Sequence, residues 1–132
     1  MSRILLIEDD HSLRRALRLA LEKSGYEVVE AAEGREGLAT LKLQPVDLVV
    51  TDIIMPGMEG IETITALRKL NPQLKIIAIS GGGRSSADDY LRMALQFGAA
   101  QVFAKPFEIG TLCSAIAELL GNPGTEPPSS PA

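Results

Sequence analysis

Three acidic residues, Glu8, Asp9 and Asp10, follow a short apolar run in "RILLIEDD". A fourth, Asp52, closes the run "VDLVVTD". The run "LKIIAIS" ends on Ser80, and "AQVFAKP" ends on Lys105 and Pro106. A carboxylate carried into apolar surroundings is costly unless it is paired or holds a metal. Neighbouring carboxylates repel, and one pKa rises unless a cation intervenes. Oxygen donors suit a hard cation, and magnesium, which combines one or two carboxylates with waters and a phosphate oxygen, is the expected one. With one His and one Cys in the chain, the composition argues against zinc. A carboxylate beside magnesium can attack phosphorus and form an acyl phosphate. A lysine and the metal would neutralise the transferring oxygens, and a hydroxyl could donate to a third. Asp52, Glu8, Asp9, Ser80 and Lys105 make up such a set.

These groups can meet only if the runs before them are strands of one sheet. Residues 3–8, 26–31, 46–52, 74–80 and 100–104 read as strands, several of them continuously apolar, as in a sheet buried on both faces. Between and after them lie helical patterns at 11–24, 34–43, 59–70, 87–97 and 108–120. In the first helix, Leu13, Ala16, Leu17, Ala20 and Leu21 form the predicted apolar stripe, with Arg14, Arg15, Arg18, Glu22 and Lys23 opposite. Gly25 stands where a helix C′ glycine belongs, and Pro45 ends the second helix. Asp88 and Asp89 suit the positive end of the fourth. Five strand–helix repeats predict an α/β domain with a mostly parallel sheet. Sites in such sheets form at the carboxyl ends of the strands, where the acids, the serine and the lysine fall. Glu30 and Glu33 lie near that edge with no evident role.

The chain has 132 residues, which predicts one domain. A net charge of −4 argues against direct nucleic-acid binding. The apolar runs are too short for a transmembrane helix or a signal peptide, so no membrane association and a cytoplasmic location are expected. Cys113 falls in a helical pattern and is expected to be a core residue. The Pro- and Ser-rich stretch 122–132 is expected to be a disordered tail after a domain spanning 1–121.

The motifs "ILLIEDD", "VVTDIIMPGMEG", "IIAIS" and "FAKPF" occur in that order at the expected strand ends. Together, over residues 3–120, they resemble the receiver domain of two-component response regulators, the family that includes the chemotaxis regulator. The resemblance implies a flavodoxin-like (βα)5 doubly wound sheet of strand order 2-1-3-4-5. It implies that Asp52 accepts a phosphoryl group from the phosphohistidine of a histidine kinase or phosphotransfer protein. Glu8, Asp9, Asp52 and the Ile54 carbonyl would hold magnesium, and Ser80 and Lys105 would bind the phosphoryl oxygens. Pro56, Gly57 and Gly60 match the loop after the phosphoacceptor, where glycine would supply unusual backbone angles. The Lys105–Pro106 bond is expected to be cis. Such a protein catalyses only its own phosphorylation and dephosphorylation, and signals by protein contacts to an unknown target.

Two features depart from the family pattern. Its aromatic switch position is Val102 here, and Phe103 should face the other way by strand alternation. The loop "GGGRSSADD" after Ser80 is long, so Gly81–Gly83 are expected to carry the signal that an aromatic rotamer carries elsewhere. Ile54, which has no polar side-chain atom to orient an attacking water, predicts a long-lived phosphoryl group. Other readings remain beside this one. A haloacid-dehalogenase-like phosphatase would carry a second Asp at position 54, and a P-loop would need a Lys before Ser85. A flavin-mononucleotide binder would not place acids after its first strand. A degenerate receiver would act as a phosphorylation-independent interaction module. His11 reads as a helix-start residue, Asp10 as an N-cap, and Arg84 as a loop charge that could reach a phosphoryl oxygen. Arg14, Arg15 and Arg18 read equally as a docking face or a solvated face.

Overall fold

A computed structural model describes residues 2–53, 60–80 and 92–121. The strands are β1 (Arg3–Ile7), β2 (Glu27–Ala31), β3 (Leu48–Asp52), β4 (Lys75–Ser80) and β5 (Gln101–Ala104). They form one parallel sheet in the order β2-β1-β3-β4-β5. The helices are α1 (His11–Lys23), α2 (Gly34–Leu43), α3 (Gly60–Leu70) and α5 (Ile109–Leu120), with residues 92–96, α4, helical before β5. The predicted start of α4 at residue 87, with Asp88 and Asp89, lies outside the described residues, as does the stretch 122–132.

Strand alternation divides the core into two layers. Leu5, Ile7, Val49, Ile76 and Ala78 pack against Ile64 and Leu67 of α3 and Ala94 of α4. Ile4, Leu6, Leu48, Val50, Ile77 and Ile79 pack against Leu17 and Leu21 of α1 and Leu112 and Ile116 of α5. The central strands are therefore apolar on both faces, which is why their sequences run without polar interruption. Each buried side chain of this size contributes about 2 kcal/mol.

Local chemistry sets the element ends. Asp10 caps α1, its Oδ1 accepting the Leu13 N–H at 3.1 Å. Gly25, at φ +99°, takes the chain out of α1, and Gly121, at φ +64°, closes α5. Three expectations shift. Ala16 is exposed, so the α1 stripe runs through Leu13, Leu17, Ala20 and Leu21. β2 starts at Glu27, one residue late. β3 starts at Leu48 because Asp47 is held in a loop. Its Oδ2 accepts the Arg3 N–H at 2.7 Å, and its own N–H donates to the Arg3 carbonyl at 2.8 Å.

Candidate functional site

The sheet delivers the reactive groups by register. Asp52 pairs with Ile79 and Ser80 with Ala104, so the carboxyl ends of β3, β4 and β5 finish level. Bonds just past the strands extend the match. The Glu8 N–H donates to the Ala31 carbonyl at 3.0 Å, the Ile53 N–H to Ile79 at 2.9 Å, and the Lys105 N–H to Ser80 at 2.9 Å. Glu8, Asp52, Ser80 and Lys105 therefore arrive at one edge.

There the side chains meet. Lys105 Nζ lies 2.7 Å from Asp52 Oδ2 and donates to Glu8 Oε2 at 3.3 Å. Glu8 Oε2 also accepts the Asp10 N–H at 3.0 Å. Glu8 is fully buried and Asp52 nearly so, while Asp9 is exposed. Ligand atoms of Glu8, Asp9 and Asp52 lie within 4.8 Å of one another. Three carboxylates facing one ammonium leave two negative charges uncompensated when all are ionised. Glu8 Oε1 is 3.2 Å from Nζ but accepts no hydrogen bond among the described residues. Charge, donor type and an unsatisfied buried oxygen all fit a divalent hard cation such as magnesium. Ser80 Oγ is likewise buried without a hydrogen-bond partner among the described residues.

The electrostatics follow from this packing. Burial pushes the Glu8 carboxyl up to about 7, with Asp52 adding to the rise and the Asp10 N–H and Lys105 opposing it. Desolvation thus outweighs the carboxylate repulsion expected from the sequence as the main cause. For Lys105 burial favours the neutral form, but the hydrogen bond to Asp52 and the two carboxylates more than offset this and hold the ammonium more tightly than usual.

A family profile described as "Response regulator receiver domain" matches residues 4–117. The chain belongs to that family. This receiver is 38% identical over 120 residues to the response regulator receiver protein CpdR of Brucella abortus, covering 91% of this chain and 98% of that one. It is 39% identical over 105 residues to the transcriptional regulatory protein AfsQ1 of Streptomyces coelicolor, covering 73% of this chain but only 46% of that longer protein. A CheY-like receiver structure from Methanospirillum hungatei superposes with a TM-score of 0.84 at 33% identity, covering 92% of this chain and 94% of that one. The fold and signalling class implied by the motifs are those of this family, so the dehalogenase, P-loop and flavin-binding readings fall away. No helix among the described residues is long and apolar enough to cross a membrane.

The structure brings together Glu8, Asp9, Asp52 and Lys105, with Ser80 at the same edge. Asp10 serves as the α1 cap. The Lys105–Pro106 peptide is cis. Val102 packs in the layer with α2, α3 and α4, whereas Phe103 lies in the opposite layer, its ring 5.9 Å from that of Phe107. Gly60 corrects the reason given for it. It is the first helical residue of α3 rather than a left-handed one, and glycine is required there because a Cβ would overlap the backbone of Ile53, immediately after Asp52. Ile54, Pro56, Gly57, Gly81–Gly83 and Arg84 lie outside the described residues. Sequence reasoning left Glu30 without a role. It pairs with Arg14 at 3.0 Å and with Arg18 at 2.7 Å, so these two arginines of α1 are partly engaged rather than simply solvated. The signal for it was present as an acid on β2 opposite a basic stripe on α1, but only the adjacency of the two elements joins them.

Proposed function

We propose that this receiver takes a phosphoryl group onto Asp52 from the phosphohistidine of a sensor kinase or phosphotransfer protein. The observation that carries the reading is the buried Asp52 carboxylate held 2.7 Å from Lys105 Nζ within the Glu8–Asp9–Asp52 cluster. An Asp52 oxygen attacks phosphorus, the N–P bond breaks, and the imidazole leaves with its electron pair, giving an aspartyl phosphate. Lys105 orients the carboxylate and neutralises the incoming oxygens. Glu8, Asp9 and Asp52 would hold magnesium, with the Ile54 carbonyl as a further ligand. When bound, the ion supplies charge neutralisation at the phosphoryl oxygens. Ser80 Oγ, buried without a hydrogen-bond partner among the described residues, is poised to donate to one of them. The new charge biases a two-state equilibrium that partner proteins read. The protein then catalyses no reaction beyond its own phosphorylation and dephosphorylation, works in the cytoplasm, and is organised as a domain over 1–121 with 122–132 as a tail. With Ile54 in place of a polar residue, loss of the phosphoryl group is slow.

The test is incubation with acetyl phosphate and magnesium, followed by intact mass. The wild-type chain gains one phosphoryl mass, and Asp52→Asn does not. An equal gain in Asp52→Asn, or none in the wild type, overturns the proposal. In the second case the interaction-module reading takes its place.

A further inference from the structure

The acidic loop is braced by a residue that is none of its candidate ligands. Arg14 of α1 engages with all three guanidinium nitrogens. Nε donates to Glu30 Oε1 at 3.0 Å, Nη1 donates to the Glu8 carbonyl at 2.8 Å, and Nη2 lies 3.1 Å from His11 Nδ1. The Glu8 carbonyl stands one residue beyond β1, where the ladder has ended, and a buried peptide oxygen requires a donor. Arg14 supplies it. On the other side of the same residue, the Glu8 N–H is held by Ala31 of β2 at 3.0 Å. Glu8 is thus fixed by β2 on one side and α1 on the other. Its carbonyl belongs to the peptide plane that joins Glu8 to Asp9, so the guanidinium bond restrains that plane.

A cation beside an acidic loop has a cost, since it opposes the arrival of another cation. Glu30 removes much of it. Its carboxylate bridges Arg14 and Arg18, and although burial alone would favour its neutral form, the two guanidinium groups more than reverse this and keep it ionised. The side chains of Arg14 and Glu30 are only 16% and 28% exposed, so the pair is less screened by solvent than a surface bridge. Arg14 can therefore brace the loop while presenting little uncompensated charge to it.

We infer that Arg14, anchored by Glu30, is a positioning residue for the divalent-cation site, acting through the Glu8–Asp9 backbone without touching the ion. The inference rests on the magnesium reading of the site above. Outer partners that orient metal ligands are commonly worth a large factor in affinity, so Arg14→Ala should weaken magnesium binding about 10-fold. Glu30→Ala should weaken it too, because it frees Arg14 and leaves its charge uncompensated.

The experiment is calorimetric titration of magnesium into the full chain, with circular dichroism to establish the native fold. Two control variants separate positioning from other effects. Arg18→Ala removes the second partner of Glu30 but no bond to the loop. Arg68→Ala removes an arginine that ties α3 to the carbonyls of Pro72, Leu74 and Gly98, and so lowers stability away from the site. Weakened binding in Arg14→Ala and Glu30→Ala, with both controls near wild type, supports the inference. Unchanged affinity in natively folded Arg14→Ala overturns it, as does an equal loss in Arg18→Ala, which would trace the effect to the pairing of Glu30 rather than to the bond on the Glu8 carbonyl. If Arg14→Ala does not fold, Arg14→Lys decides, because it keeps the charge but not the fork that joins Glu30 to the Glu8 carbonyl: weaker binding supports the inference and unchanged binding overturns it. No magnesium binding by the wild type overturns the cation site itself, and this inference with it.

Discussion

Asp52 ends β3 and Lys105 follows β5, with β4 between the two strands, yet Nζ reaches to within 2.7 Å of Oδ2. The lysine therefore occupies the same electrostatic niche as an incoming cation. It pairs with the Asp52 carboxylate and at the same time opposes the metal that would assist it.

This double role predicts opposite effects in one variant. Lys105→Met should bind magnesium about 10-fold more tightly, because a unit charge within a few ångströms of a divalent ion costs on the order of 1–2 kcal/mol even in high dielectric. Phosphorylation by acetyl phosphate should slow about 100-fold, as expected when a group aimed at transition-state charge is removed. Calorimetry reads the first effect and the time course of intact mass the second. A parallel loss of both would mean that Lys105 merely holds the site's shape.

Much of the edge was legible because its residues interrupt apolar runs. Asp52 and Ser80 end continuous hydrophobic segments, and parallel strands place such ends side by side. What the sequence concealed depends on tertiary approach. Gly60 looked like a residue chosen for its backbone angle, and only the packing of α3 against Ile53 shows that it is chosen for lack of a Cβ. Glu30 looked idle because its partners are 16 and 12 residues earlier, at Arg14 and Arg18 of α1. Asp47 reads as part of the third strand because nothing local shows that Arg3 will hold it in a loop. Strand ends could be read from pattern, whereas close approaches and charge pairs between elements could not.

The Gly60 contact carries its own prediction. Gly60→Ala forces backbone against backbone and should cost about 3 kcal/mol, at the upper end of overpacking penalties. Gly110, in α5, has open space where a Cβ would go, so Gly110→Ala should stabilise by up to about 1 kcal/mol through helix propensity. Urea denaturation of both variants checks the pair. A similar small effect in each would remove the steric account of Gly60.

Glu8 makes stability depend on pH in the metal-free protein. Its carboxyl is raised from 4.5 to about 7, so between these values the folded chain holds a proton that the unfolded chain releases. The contribution is fully present below the unfolded value and is lost as pH rises through the folded one. Relative to Glu8→Gln, the wild type should lose up to about 3 kcal/mol between about pH 4.5 and about pH 8 with a chelator present. Magnesium, which favours the ionised acid, should restore part of the loss. Denaturation at several pH values measures the difference, and a flat one would show that Glu8 does not take up the proton.

Ser80 should separate the resting state from the activated one. Its Oγ is buried without a hydrogen-bond partner among the described residues, a condition that costs about 1–3 kcal/mol for a polar group. Ser80→Ala should therefore leave the unphosphorylated protein as stable as the wild type or about 1 kcal/mol more so, against the usual trend for a buried substitution. In the phosphorylated protein the sign reverses, because the hydroxyl then has an oxygen to donate to and the alanine does not. Thermal unfolding in magnesium, with and without a beryllofluoride phosphoryl mimic, should show a clear rise in Tm for the wild type and a smaller one for the variant. Equal rises in both proteins would mean that Ser80 makes no bond to the phosphoryl group, and a destabilised resting state would mean that it already has a partner.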